Sequence, residues 1–207
     1  MLLSKTRVSR ILAVFVLAIF VSMTTYAQPK GITAQMIQEF IEFIEENAMP
    51  MDDYLENSKD LSTFVKVLKL TGDFEKLKNN DEYTVFAPTN QAFEQFPVEV
   101  ITELFQPRNI EKLKSIAAYH IIEGRLRSST IVADIDENNG LLATYKMLNG
   151  LEITTFYDEE TIFIKDANGY PVEVLQQDIL LSNGLVYKVD TVILPQVDNE
   201  RQLAENN

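Results

Sequence analysis

No cysteine occurs among the 207 residues, so no disulfide framework can staple this fold, and its stability has to come from apolar burial and backbone hydrogen bonding. Histidine is almost as scarce. His120 stands alone, and no second imidazole or thiolate exists to complete a transition-metal site with it. The chain also lacks an Asn-x-Ser/Thr glycan acceptor, a Gly-rich phosphate loop, a dinucleotide fingerprint and the G-x-S-x-G turn that presents a nucleophilic serine. Positive charge is short as well: 18 Lys and Arg face 31 Asp and Glu, for a net charge of −13. Nucleic-acid and anionic-membrane partners need clustered cations to displace counterions or meet lipid headgroups, and there is no such cluster.

What is present begins with a leader. Lys5, Arg7 and Arg10 precede the unbroken apolar run Ile11 to Val21, and Thr25-Tyr26-Ala27 places small residues where signal peptidase accepts them. The run of 11 residues falls short of the roughly 20 that a spanning helix needs, so residues 1–27 are expected to be a cleaved export signal and not an anchor. Loss of three basic and no acidic residues takes the net charge from −13 to −16. With no cysteine at the cleavage site and a polar C-terminus, no lipid attachment is expected, and the product is secreted, surface-associated or periplasmic.

Residues 28–50 read as an amphipathic helical extension. Ile37, Phe40, Ile41 and Ile44 recur at helical spacing while Glu39, Glu42, Glu45 and Glu46 fall mostly elsewhere, with Thr33 as N-cap and Pro50 as stop. The acidic polar face favours packing against the domain over packing on lipid. Further helices are expected from Asp60 to Thr71-Gly72, from Pro97 through Leu104, and around Ile110, Leu113, Ile116 and Ala117. After Gly124 the pattern turns to strands: Leu151 to Tyr157, Thr161 to Lys165, Pro171 to Leu175, and Leu185 to Leu194, the last closed by Pro195. Asn149-Gly150, Asn168-Gly169 and Asn183-Gly184 supply turns between them. This succession predicts a largely antiparallel sheet with the early helices covering it, and a frayed tail over 196–207.

The segment Tyr83 to Phe93, YTVFAPTNQAF, closely resembles the first signature of fasciclin domains, matching at Thr84, Phe86, Pro88, Thr89, Asn90 and Phe93. Tyr119-His120 resembles the family's central Tyr-His segment, and Ser182 to Pro195, with Asn183, Gly184 and Asp190, resembles its second signature. The departure is Tyr187, where that signature commonly carries His. The resemblance spans residues 51–195 and implies an α+β, fasciclin-like fold: an antiparallel β-sandwich or wedge with several α-helices packed on it mainly from the N-terminal half. It also implies an adhesive role and points to Tyr119 and His120 in binding. The residues themselves read as scaffold, with Tyr83 to Pro88 a buried strand, Thr89 or Asn90 a helix cap, and Asp190 a carboxylate that needs partners if buried.

Candidate chemistry is sparse. His120 follows Leu113, Ile116 and Ala117 on one stripe and is expected to point inward as a hydrogen-bonded core residue. Arg125 and Arg127 form the one local basic pair, suited to an anionic glycan or simply paired with nearby acids. Asp134, Asp136 and Asn138 match the opening of a calcium loop, but Asn139 stands where its glycine belongs and Tyr145 where its bidentate Glu belongs, so no metal or other cofactor is expected. The reading is a non-catalytic, exported adhesion or matrix-binding module for an extracellular protein or polysaccharide. Two alternatives are a secreted glycan or ester hydrolase using a carboxylate pair, and a small-ligand carrier with a closed apolar pocket. Oligomeric state is not readable from these residues.

Overall fold

The structure is a computed structural model describing residues 33–79, 81–158 and 161–195; the expected leader at 1–27 and tail at 196–207 lie outside the described residues. The chain divides into two units, Met1–Met49 and Pro50–Asn207. In the first, helix α1 spans Ala34–Glu46. The Thr33 hydroxyl caps it by accepting the Met36 N–H at 3.2 Å, and the Gln35–Glu39 and Gln38–Glu42 pairs brace its polar side.

The second unit opens with α2 (Met51–Asn57), a single 3₁₀ turn (Lys59–Leu61), α3 (Ser62–Thr71) and α4 (Asp73–Lys76). Gly72 ends α3 in the left-handed conformation that a side chain would oppose. Strand β1 (Tyr83–Pro88) is buried along its whole length and runs into α5 (Asn90–Glu94) and α6 (Val98–Leu104), then α7 (Ile110–Ala118) and strand β2 (Ile121–Glu123). An element that the sequence pattern did not signal follows: α8, Ser128–Glu137, in a stretch for which no helix was expected. Its apolar residues inside are just Ile131 and Ile135, too few to register as a helical stripe.

The remaining strands are β3 (Ala143–Lys146), β4 (Glu152–Asp158), β5 (Thr161–Lys165), β6 (Pro171–Leu181) and β7 (Gly184–Val189). The sheet order is β2-β1-β7-β6-β5-β4-β3. Every pairing is antiparallel except β1 with β7, which run parallel from Tyr83↔Gly184 to Pro88↔Val189. Strand β6 is six residues longer than expected and belongs to both halves of the sheet. Its start pairs with β5, its remainder with β7, and two register shifts between Val174 and Ile179 bend it where the halves meet, giving the expected α+β wedge. The last strand, by contrast, stops at Val189 and not Leu194. Asp190 ends it, because its own carboxylate accepts the Glu173 N–H at 2.8 Å in place of another ladder bond.

One apolar cluster joins Phe86, Ile153, Ile164, Val172 and Leu185 from both halves of the sheet to Ile131 of α8 and to Ile193 after β7, and further buried apolar side chains, among them Met51, Leu55, Phe64, Leu68 and Phe74, line the helical side. Each fully buried side chain of this kind is worth about 1.5–3 kcal/mol, and exposed ion pairs add little beside it, so in a cysteine-free domain the core carries the stability.

Candidate functional site

The two signature-like segments meet side by side as β1 and β7, and Thr84, Thr89, Asn90 and Asn183 within them are committed to hydrogen bonds within the domain. The Thr84 hydroxyl donates to the Gly124 carbonyl at 2.7 Å and accepts the Leu126 N–H at 2.8 Å, clamping the loop after β2. Thr89 caps α5 through the Ala92 N–H. Asn90 caps a different helix: its Oδ1 accepts the Thr63 N–H at 2.9 Å at the start of α3, and its Nδ2 donates to the Lys59 carbonyl. Buried Asn183 accepts the Met51 N–H at 2.9 Å and donates to the carbonyls of Leu77 and Asn79 at 2.7 and 3.1 Å, so one amide ties α2 and the approach to β1 to the last hairpin. Phe86, Pro88 and Phe93 are buried, and Pro195 is half-buried.

Tyr119 and His120 are both fully buried. The Tyr119 hydroxyl donates to the Glu152 carbonyl at 2.6 Å, and burial, with the nearby Asp166 charge, pushes its ionisation up to about 12. The His120 Nδ1 lies 2.7 Å from the Ile116 carbonyl and its Nε2 accepts the Ile193 N–H at 3.0 Å, which fits only the neutral tautomer protonated at Nδ1. The Phe64 ring packs against the imidazole at 5.3 Å. Any partner at this surface therefore touches neighbours of these two rings.

Tyr187 replaces the histidine of the second signature without loss of order. Its ring lies 5.2 Å from that of Phe86, and its hydroxyl is shared between the Leu126 carbonyl and the Asp178 carboxylate, at 2.7 and 2.8 Å. Burial first, then the Asp178 hydrogen bond, hold the phenol far above its usual range. Asp178 itself sits at φ 52° in the irregular part of β6 and also receives the N–H and hydroxyl of Ser128 at the start of α8. This node was missed in the sequence; Asp178 has no motif, and its role depends on a bend that no local pattern announces.

The basic pair separates in character. Arg125 has a side chain 12 % exposed, donates to Glu82 at 2.7 Å and to the Ser182 carbonyl at 2.7 Å, and joins β1 to the last hairpin; Arg127, half-buried, precedes α8 beside the Tyr187–Asp178 node. Asp134 and Asp136 lie on α8, not in a loop, and accept the hydroxyls of Tyr145 and Tyr157 at 2.7 and 2.8 Å. No group of acidic, His or Cys side chains suited to a metal ion occurs among the described residues.

Open grooves and a small apolar pocket lie among the described residues of this unit. The pocket, lined by residues that include Phe93, Leu104 and Leu194, amounts to about 10 Å³, at the limit of one water. A groove of about 510 Å³ runs between α3 and α6, and another of about 520 Å³ lies beside Glu123, Lys146 and Asn149. No described helix is long and apolar enough to cross a membrane.

The profile described as the fasciclin domain matches residues 59–195. Among curated proteins, the chain is 27% identical to protein sll1483 of Synechocystis sp. over 84% of its own length and 88% of that protein's, and 30% identical to the cell surface glycolipoprotein MPT83 of Mycobacterium tuberculosis over 70% and 60%. It is 29% identical to human periostin over 75% of this chain, which spans 17% of periostin.

Proposed function

The chain belongs to the fasciclin domain family, and on that premise we propose that it is an exported, non-catalytic adhesion or matrix-binding module that engages an extracellular protein or polysaccharide. Residues 1–27 serve as its leader, 28–50 as a helical extension, 51–195 as the binding domain and 196–207 as a polar tail. The observation that carries this reading is the commitment of Thr84, Asn90, Asn183 and His120 to hydrogen bonds within the domain: the signature-like residues hold architecture and are not aimed at a reacting substrate. Tyr119 and His120 contribute to adhesion from within, by fixing β4 and the segment after β7, and Arg125 and Arg127 do so at the loop after β2. The surface glycolipoprotein of M. tuberculosis supports a location outside the cytoplasm.

Arrays of extracellular matrix proteins and of glycans, probed with purified residues 28–207, test the reading. Saturable binding to at least one class is expected. Turnover of a glycan or ester, abolished by neutralising one acidic residue, would overturn it in favour of the hydrolase.

A further inference from the structure

The groove between α3 and α6 is a cavity whose polar lining the architecture engages only in part. Its walls are Ser62, Thr63 and Lys66 on one side and Ile101, Thr102, Phe105 and Gln106 on the other, and its volume of about 510 Å³ falls within the roughly 300–1,000 Å³ typical of ligand sites. Ser62 is engaged by Asn90, and Thr102 donates to the Val98 carbonyl. The groups left to face a ligand are the Thr63 hydroxyl, the Gln106 amide oxygen and the Lys66 ammonium. Thr63 and Lys66 stand three residues apart on one face of α3, so both can donate to the same anion.

Among the described residues Lys66, like Lys165 over Phe156, meets an aromatic ring in place of a carboxylate. Lys69, Lys76, Lys78, Lys114 and Lys188 each meet a carboxylate within 2.9 Å, whereas the Lys66 ammonium rests 4.8 Å from the centre of the Phe105 ring. On a chain of net charge −13, a cation held against an aromatic wall and beside neutral hydrogen-bonding groups suits a single carboxylate on an otherwise uncharged body. A polyanion would meet the surrounding excess of acid. The groove is open, so an internal segment of a polymer can lie along it, and Ile101 with Phe105 provides the apolar wall for the C–H face of a sugar ring.

We propose that this groove binds a uronate-bearing glycan, with the carboxylate on Lys66 and Thr63 and the sugar ring against Phe105. This rests on the adhesive reading above and names its ligand class. The experiment is calorimetric titration of the exported chain, residues 28–207, with glucose or galactose oligomers that carry a single glucuronate or galacturonate unit, with the matching wholly neutral oligomers, and with an Asp-containing peptide. The oligomers with one uronate are expected to bind, and Lys66→Gln to weaken them about three- to tenfold, as loss of one partly exposed charged contact does. Lys66→Arg retains most of the affinity. The chain contains no tryptophan, so Phe105→Trp adds a lone reporter whose emission shifts on uronate binding if the ring lies at the site. Equal affinity of wild type and Lys66→Gln, preference for the peptide, or no uronate binding overturns the proposal. Loss of uronate binding alongside intact binding to another matrix component sinks this site and leaves the adhesive reading standing; silence towards every component sinks both.

Discussion

The imidazole of His120 accepts the backbone N–H of Ile193 at 3.0 Å across 73 positions of sequence. The same ring is anchored at Ile116, and the His120 carbonyl accepts the Phe86 N–H at 2.8 Å, so a single residue fastens the end of α7, strand β1 and the segment that follows β7. His120→Phe keeps the ring volume but leaves the buried Ile193 amide without its acceptor. The expected cost is about 2–4 kcal/mol, read as a lowered urea midpoint, with hydrogen exchange at the Ile193 amide accelerating more than at β5. An unchanged midpoint would remove His120 from the scaffold.

Among the described glycines, Gly184 is the one at which a side chain has no room. Its φ is +146°, and a Cβ there would lie 1.8 Å from the Tyr83 carbonyl oxygen and 2.8 Å from the Met51 methyl. Backbone cannot retreat without breaking the first rung of the β1–β7 pairing, Tyr83↔Gly184. Gly184→Ala is expected to cost upwards of about 3 kcal/mol and to yield largely insoluble protein, whereas Gly150→Ala meets no atom within 4 Å and costs about 1 kcal/mol through its φ alone. Soluble expression and thermal melts of the pair decide this.

Asp178 tests how a strained position is held. Its left-handed φ of 52° is tolerated because the carboxylate joins Ser128 on α8 to Tyr187 on β7. Asp178→Asn keeps an acceptor and a residue at ease in that conformation, and a loss under about 1.5 kcal/mol is expected. Asp178→Ala forfeits both features and is expected to cost about 2–4 kcal/mol. If chemical denaturation ranks the two equally, the node is incidental.

These cases show what the sequence could and could not convey. The strand from Tyr83 to Pro88, the cap at Thr33, a cap at Thr89 or Asn90 and the turns at Asn-Gly pairs were legible because each depends on residues close in sequence. The inward His120 was legible too, from its place on the stripe of Leu113 and Ile116. Helix α8 was not, since its buried face rests on Ile131 and Ile135 and its N-terminus is held by Asp178 from 50 residues away. The end of β7 was misjudged for a similar reason: Val192, Ile193 and Leu194 are buried and look like strand, yet Asp190 has already diverted the backbone. The α3–α6 groove joins residues about 40 positions apart, none of which belongs to a motif.

Arg125 needs separating from Arg127 in any binding study. With contacts to Glu82 and the Ser182 carbonyl, Arg125→Ala is expected to lower stability by about 1–2 kcal/mol, so reduced binding by that variant would report a displaced hairpin as readily as a lost contact. Glu82→Gln removes only the charge partner and should cost under about 1 kcal/mol. Denaturation curves for both, taken before any binding measurement, fix which effect is being read.

Alkaline titration probes the interior phenols directly. Tyr119 ionises at about 12 in the fold because burial and Asp166 oppose the phenolate, against roughly 10 when unfolded. A raised value means that the neutral form stabilises the fold: the contribution is complete below pH 10 and is lost as pH climbs towards 12. Linkage over two pH units sets its size at roughly 2–3 kcal/mol, and Tyr145 and Tyr187, both shifted upward by burial and by a carboxylate, act in the same direction. Urea midpoints measured from pH 8 to pH 12 should therefore hold level to about pH 10 and then fall, coincident with the phenolate absorbance. Tyr119→Phe gives up the bond to the Glu152 carbonyl, about 1 kcal/mol at neutral pH, and should make the alkaline decline shallower. A decline of the same steepness in that variant would place the sensitivity at other groups and leave Tyr119 as a bystander.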